Sequence, residues 1–185
     1  MADRYYETER LIARRWRDSD RAAFAALNGD AETMRFFPAP LSRAESDAFI
    51  DRIGQRATED GFCFPAIERK DDGALVGLVG LARIRFDAHF APAVEIGWRI
   101  RRDCWRKGYA AEAAAAALAY GFQELGLEEI VSFTIPANAP SRAVMARLGM
   151  THDPADDFDH PLLPADSPFR RHVLYRIRRA DWAPA

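Results

Sequence analysis

Cysteine is scarce in this chain: Cys63 and Cys104 are the two it has in 185 residues. That excludes a disulfide scaffold, and neither thiol has a partner at the spacing of a metal site. A long uncharged apolar run is lacking, as is a basic-then-apolar leader, so the sequence predicts neither a membrane span nor a secretory signal, and a cytoplasmic protein by default. An excess of charge is lacking too. Lys and Arg number 26 against 28 Asp and Glu, a formal net charge of -2, which gives no electrostatic reason to expect nucleic acid as a partner. Neither G-x-x-x-x-G-K-[ST] nor G-x-G-x-x-G occurs, which removes the common nucleotide fingerprints. With no internal repeat and no low-complexity linker, residues 1–185 read as one domain, and the 49% hydrophobic content suffices for its core.

What is present is a succession of short strand and helix signals. Residues 9–14 read as a first strand of mixed polarity. Asp18, Ser19 and Asp20 offer N-cap chemistry ahead of Phe24 and Leu27, and Ser42 with Glu45 forms a capping-box signature. Residues 62–69 and 74–86 read as strands joined by the turn Asp71-Asp72-Gly73. Gly77 and Gly80 suggest a bulge or close backbone approach. Val94 to Ile100 is the cleanest alternation: Val94, Ile96, Trp98 and Ile100 on one face, Glu95, Gly97 and Arg99 on the other. A helix is expected from Tyr109 to Leu125, stopped by Gly126, then a strand over 130–135. A second helix begins at Asn138-Ala139-Pro140-Ser141 and ends at Gly149. A proline-rich irregular segment follows, and 172–177 reads as the last strand. The pattern predicts an α/β (α+β) fold around one mixed sheet.

The helix after Gly108 is mostly alanine, which suits local propensity and allows a close approach to a sheet. Its start lies beside Arg106 and Lys107. The first amides of a helix have no internal partner and carry the positive end of the dipole, so this start can hold a phosphate group.

The segments TERLIARRWRDSD from Thr8, VEIGWRI from Val94, WRKGYAAEA from Trp105 and NAPSRAVMARLGM from Asn138 follow one another in an order that resembles the GNAT acyltransferases. The likeness is nearest to their RimJ/RimL-like, ribosomal-protein alanine acetyltransferase branch, and it covers about residues 8–178. It implies a mostly antiparallel sheet with splayed central strands, flanked by helices, and N-acetyl transfer from acetyl-CoA without a metal. Trp105 stands where Gln or Arg is usual in the family's pyrophosphate loop.

By resemblance, the amides of Arg106, Lys107, Gly108, Tyr109, Ala110 and Ala111 cradle the pyrophosphate. Trp98, Arg99 and Ile100 pair with the pantetheine arm, and Asn138 and Ser141 lie beside coenzyme A. Glu95 is a candidate base, because a free alkylamine has a pKa of about 10 and must lose its proton before attack. His160 is an alternative base, and Ser141 a candidate acid toward the leaving thiolate. Phe36, Phe37 and Phe49 read as core aromatics near an acceptor wall. The acceptor is expected to be a small-molecule amine or a protein N-terminus. Oligomeric state is open, a homodimer included. Two other readings stand beside this one: an acyl-CoA-binding module that no longer transfers, and a binder of nucleotide phosphates.

Overall fold

A computed structural model describes residues 3–183. In chain order its elements are β1 (Arg4–Glu7), β2 (Leu11–Arg14), α1 (Arg21–Gly29), α2 (Arg43–Asp60), β3 (Ala66–Arg69), β4 (Leu75–Arg83), β5 (Val94–Ile100), α3 (Tyr109–Ala119), β6 (Glu129–Thr134), α4 (Ala139–Arg147), β7 (Thr151–His152), β8 (Phe158–Asp159) and β9 (Arg171–Arg178). The strands form one sheet in the order β1-β2-β3-β4-β5-β6-β9-β7, with β8 also pairing β9. Every described pair is antiparallel except β5 with β6. This is the mixed sheet the sequence predicts. The strand expected at residues 9–14 is β2, and β1 precedes it. No helix among the described residues is long and apolar enough to cross a membrane.

The helices cover both faces. On one, α3 lays Ala113, Ala114 and Ala117, each fully buried, against Val79, Leu81 and Ile96. Removing side-chain bulk brings the helix axis close to the strands, which explains the alanine run physically. Gly121 extends the same contact: a Cβ there would stand 2.8 Å from Ile130 Cδ1 and 2.9 Å from Leu81 Cδ1. The helix does not run unbroken to Leu125; Tyr120–Glu124 form a π-turn, a wider coil with shifted hydrogen bonds. On the opposite face α1 and α2 bury Phe24, Leu27, Ile50 and Ile53 against Ala66, Leu75 and Leu78.

Local chemistry fixes the helix starts. At α2 the capping box forms: Glu45 N donates to Ser42 Oγ at 3.2 Å, and Ser42 N donates to Glu45 Oε2 at 2.8 Å. At α1 the expected side-chain cap does not form. Asp20 instead accepts two hydrogen bonds from the Arg14 guanidinium, at 2.7 and 2.9 Å, and one from Arg17 N at 2.8 Å. Arg14 also donates to Glu68 at 2.6 Å. A buried ion network has taken the carboxylate that the sequence assigns to capping.

Candidate active site

The site begins where β5 and β6 part. Two bonds fix which way the peptides of β5 point: Arg101 N donates to Val76 O at 2.9 Å and Ile84 N to Ala93 O at 3.0 Å. Counting along the ladder between them, Glu95, Gly97 and Arg99 turn their peptide groups toward β4, opposite Ala82, Gly80 and Leu78. Those of Val94, Ile96, Trp98 and Ile100 therefore face β6. Yet β6 meets β5 at one register position, Glu95 with Val131. The last tie is Ser132 Oγ, which donates to Ile96 O at 2.9 Å. Past it no described strand pairs with this edge of β5, and the Trp98 peptide opens onto a gap. The Ile100 carbonyl is already taken by the Trp105 indole N–H at 2.8 Å. Of the residues expected to pair with a tether, Trp98 thus has an open strand edge, Ile100 keeps its N–H, and the Arg99 backbone belongs to β4.

The turn into α3 sits at the end of that gap. Arg106 and Gly108 both take the left-handed backbone conformation, at φ 60 and 82. For a non-glycine residue this is uncommon, and interleaving left-handed residues in a turn is the backbone pattern of anion-binding nests. Arg106, Lys107 and Gly108 are exposed. The helix bonds start with Glu112 N donating to Gly108 O at 3.0 Å, leaving the amides of Tyr109, Ala110 and Ala111 as the unpaired first turn.

One cation here escaped the sequence reading. The Arg10 guanidinium lies 4.7 Å from the Tyr109 ring centroid, and its Nε donates to Glu112 at 2.7 Å. A Cβ on Gly108 would come within 3.4 Å of Arg10 Nη2. Arg10, just before β2, reaches the turn through its bond to Glu112 of α3, 102 residues away, and sequence distance hides it.

Across the gap, β6 runs into α4. Asn138 caps that helix, accepting from Ser141 N at 3.2 Å, while its amide donates to Thr134 Oγ1 at 2.9 Å. Both ends of the Asn138 side chain are used within the protein. The Ser141 hydroxyl, partly buried in the first turn, has no hydrogen-bond partner among the described residues.

On the α1/α2 face, Glu95 is partly buried and has neither hydrogen bond nor ion pair among the described residues. Burial pushes its carboxyl up to about 7, with Arg56 pulling the other way. Phe64 rests on Gly97, where a Cβ would meet the ring at 3.2 Å. Phe49, Arg52, Arg56, Phe62 and Phe64 line a cleft beside Ala82, the residue paired with Glu95. Phe37 is not a core residue, being 37% exposed, while Phe49, partly buried, packs at the edge of the core on Phe24; both lie against Arg99.

His160 stands in an aromatic wall. Its ring centroid is 4.5 Å from that of Phe86, 6.0 Å from Phe133 and 5.2 Å from His172. Residues paired across a parallel bridge point the same way, so Phe133, two beyond Val131, shares the face of Glu95. Burial, with His172 adding to it, holds His160 below the ordinary histidine range. His160 Nδ1 accepts from Leu162 N at 3.3 Å, which puts the proton of the neutral ring on Nε2 and makes that nitrogen a donor. In His172 the arrangement is reversed: Nδ1 lies 3.0 Å from Arg170 O and donates, leaving Nε2 with a free lone pair. His172 lies in a strand signal, but its position facing His160 depends on the β8–β9 register. Among the described residues no group of three or more His, Cys, Asp or Glu is placed to hold a metal ion.

Residues 10–151 match the family described as acetyltransferase (GNAT) domain. An N-acetyltransferase of Bacillus subtilis, YnaD, is 30% identical over 177 residues, 95% of this chain and 97% of the relative. A GNAT-family acetyltransferase from Bacillus anthracis superposes with a TM-score of 0.76 at 25% identity, covering 95% of this chain and 98% of that one. Mycobacterium smegmatis RimJ, solved with CoA-disulfide, shares the fold with a TM-score of 0.71 at 21% identity, over 91% of this chain and 81% of its own. A parting β5–β6 pair, a left-handed turn opening a helix of small residues, and these matches agree: the chain belongs to the GNAT acetyltransferase family and is an acyltransferase.

Proposed function

We propose that the protein transfers an acetyl group from acetyl-CoA to a primary amine by direct attack, with both substrates bound together. The observation that carries this is the single register position joining β5 to β6, after which the Trp98 peptide faces an open gap ending at the exposed turn of Arg106, Lys107 and Gly108. A tether that hydrogen-bonds as a strand fits the gap, and a diphosphate fits the exposed turn at 106–108 and the unpaired first-turn amides of 109–111.

Bound acetyl-CoA supplies the acetyl group already activated as a thioester. The chain's residues supply the rest. The Trp98 N–H points into the gap and can donate to a carbonyl oxygen as negative charge builds there. Glu95 accepts the proton of the incoming ammonium, directly or through one water. Its raised pKa places it near the working pH, where a base is both available and strong enough. Ser141 lies beyond the end of β6 with an unused hydroxyl; it donates to the departing sulfur and is reprotonated, through water, by the proton the amine nitrogen sheds as the amide forms. His160, a donor at Nε2, serves as wall rather than base. Asn138 holds the first turn of α4, and with it Ser141, in place. RimJ-type protein N-termini and small amines are both acceptors that this reading admits.

The test has two stages. Coenzyme A at a hundred times its Kd stabilises a folded protein by about 2.7 kcal/mol, a rise in Tm of roughly 5–10 °C for a chain of this size. Thiol release from acetyl-CoA is then followed with a panel of amines. Stabilisation by ATP as large as that by coenzyme A, or the absence of thiol release with every amine, would overturn the reading.

A further inference from the structure

Arg99 is a cation without a counter-charge among the described residues. Its Nη1 donates to Asn28 Oδ1 at 2.6 Å. Asn28 is fully buried and is held in turn by Ser46, also fully buried, through a 2.9 Å bond from its amide to Ser46 Oγ. Arg99 Nε is buried with no hydrogen-bond partner, and Nη2 has none among the described residues. A guanidinium carries five N–H bonds, so most of its donor capacity is unused. Phe37 and Phe49 cover it, at 4.4 and 5.5 Å from Cζ to the ring centroids. Arg99 forms no ion pair with a described carboxylate. Burial alone pulls its pKa down to about 10, which still leaves it charged at neutral pH. Taking a cation out of water costs free energy unless an anion meets it.

The direction of the side chain decides which anion. It lies against α1, where Asn28 sits, and against Phe49 of α2. The turn of residues 106–108 leads into α3 on the other face, so the diphosphate of the co-substrate is not the partner. Glu95 shares the face of Arg99, four residues away along β5, about 13 Å between Cα atoms at 3.3 Å per residue. Between them Gly97 has no side chain and the Phe64 ring covers it. The strand thus presents a carboxylate, an apolar stretch and a guanidinium in line.

We propose that Arg99 is the anion-binding end of the acceptor site, and that the acceptor is an amine carrying a carboxylate several bonds from its nitrogen. The amine lies at Glu95, its chain crosses Phe64, and the carboxylate takes the unused Nη2 donors of Arg99, with Nε completing a two-point pair once the exposed Phe37 ring swings aside. Asn28 and Ser46 position the guanidinium. This rests on the transferase reading above, and its test does not need turnover.

The probes are acetylated products, a ladder from N-acetylglycine to 8-acetamidooctanoate, each paired with its primary amide. Their binding is measured by calorimetry to protein saturated with coenzyme A. At one or more rungs the acid is expected to bind at least about tenfold more tightly than its amide, a difference of about 1.4 kcal/mol. Arg99→Gln should reduce that ratio to below about twofold while coenzyme A binds as before, and Arg99→Lys, which keeps the charge, should retain part of it. Equal binding of acid and amide at every rung, no binding of either, or a preference that survives Arg99→Gln would overturn the proposal. The wild-type comparison stands even if the variants fold poorly. Failure to bind coenzyme A would overturn the transferase reading itself and is seen before any probe is added.

Discussion

Glu95→Gln should make the protein more stable and less active, with both effects set by pH. The Glu95 carboxyl titrates near 7 in the folded chain, against an ordinary value of 4.5, because burial disfavours its charged form. A raised acid binds more protons folded than unfolded between those two values, so stability falls as pH rises from about 4.5 to about 7. Below that window the group is neutral in both states and contributes no penalty; above it the full penalty is present. At about 1.4 kcal/mol per pH unit the penalty is on the order of 3 kcal/mol, and roughly 2–3 after partial solvent access is allowed for. Glutamine has nearly the same shape and no charge. The variant should therefore melt about 4–12 °C above the wild type at pH 8 and at nearly the same temperature near pH 4.5. Over the same range the wild-type kcat/KM should rise through an apparent pKa near 7. The variant should lose that limb together with about a hundredfold or more in rate at pH 8. Denaturant or thermal melts at both pH values and initial rates from pH 5.5 to 9 settle it. Equal melting differences at pH 4.5 and 8 would show that Glu95 is not desolvated. A full rate with an unchanged pH profile would show that it is not the base.

Ser141→Ala should lower kcat/KM by about a hundredfold while Tm shifts by no more than about 1–2 °C, since the hydroxyl has no partner in the fold; an unchanged rate removes it as the acid. Replacing Arg106 and Lys107 together by alanine should weaken coenzyme A binding about five- to thirtyfold in dilute buffer and much less in ~1 M salt, because exposed charges are screened. Equal affinity at low salt, by calorimetry, would leave the main-chain amides as the whole of the phosphate grip. Arg14→Met should destabilise the fold by about 3–5 kcal/mol, since it strands the buried Asp20 without its guanidinium and leaves Glu68 only the exposed Arg17, 3.2 Å away. A loss below about 1 kcal/mol in urea melts would contradict the buried network.

The fold was legible where chemistry is local. The alternation of Val94 to Ile100, the capping box at Ser42 and the glycines at 73, 108, 126 and 149 each mark a boundary through their own backbone or side-chain preference, and all four glycines have positive φ. What escaped depends on contacts far apart in the chain. The strand Arg4–Glu7 carries two tyrosines between charged ends and no alternation; it exists because Tyr5 and Tyr6 reach Tyr120 at the end of α3. Strands β7 and β8 have two residues each, too few to show a period. In the candidate site, the turn before α3 and the candidate base were visible as residue types in order. The free cation at Arg99, the tautomers of His160 and His172 and the approach of Arg10 to Gly108 were not, since each is set by what packs opposite. Phe37 shows the same limit: its type argues for the core, while its place over a guanidinium leaves it at the surface.

The lone bridge between Glu95 and Val131 also has a mechanical meaning. It divides the sheet into two β platforms, β1 to β5 and β6 to β9, whose seam is crossed by that bridge, the Ser132 bond, the underside of α3 and, at the Glu95 end, the cluster of Phe86 and Phe90 with Phe133 and Phe158, while the Trp98 end is left open. A co-substrate lodged along the seam would complete the ladder between them. Rigidity of the whole scaffold would then follow the supply of acyl donor, and slow amide exchange in the second platform would serve as its gauge.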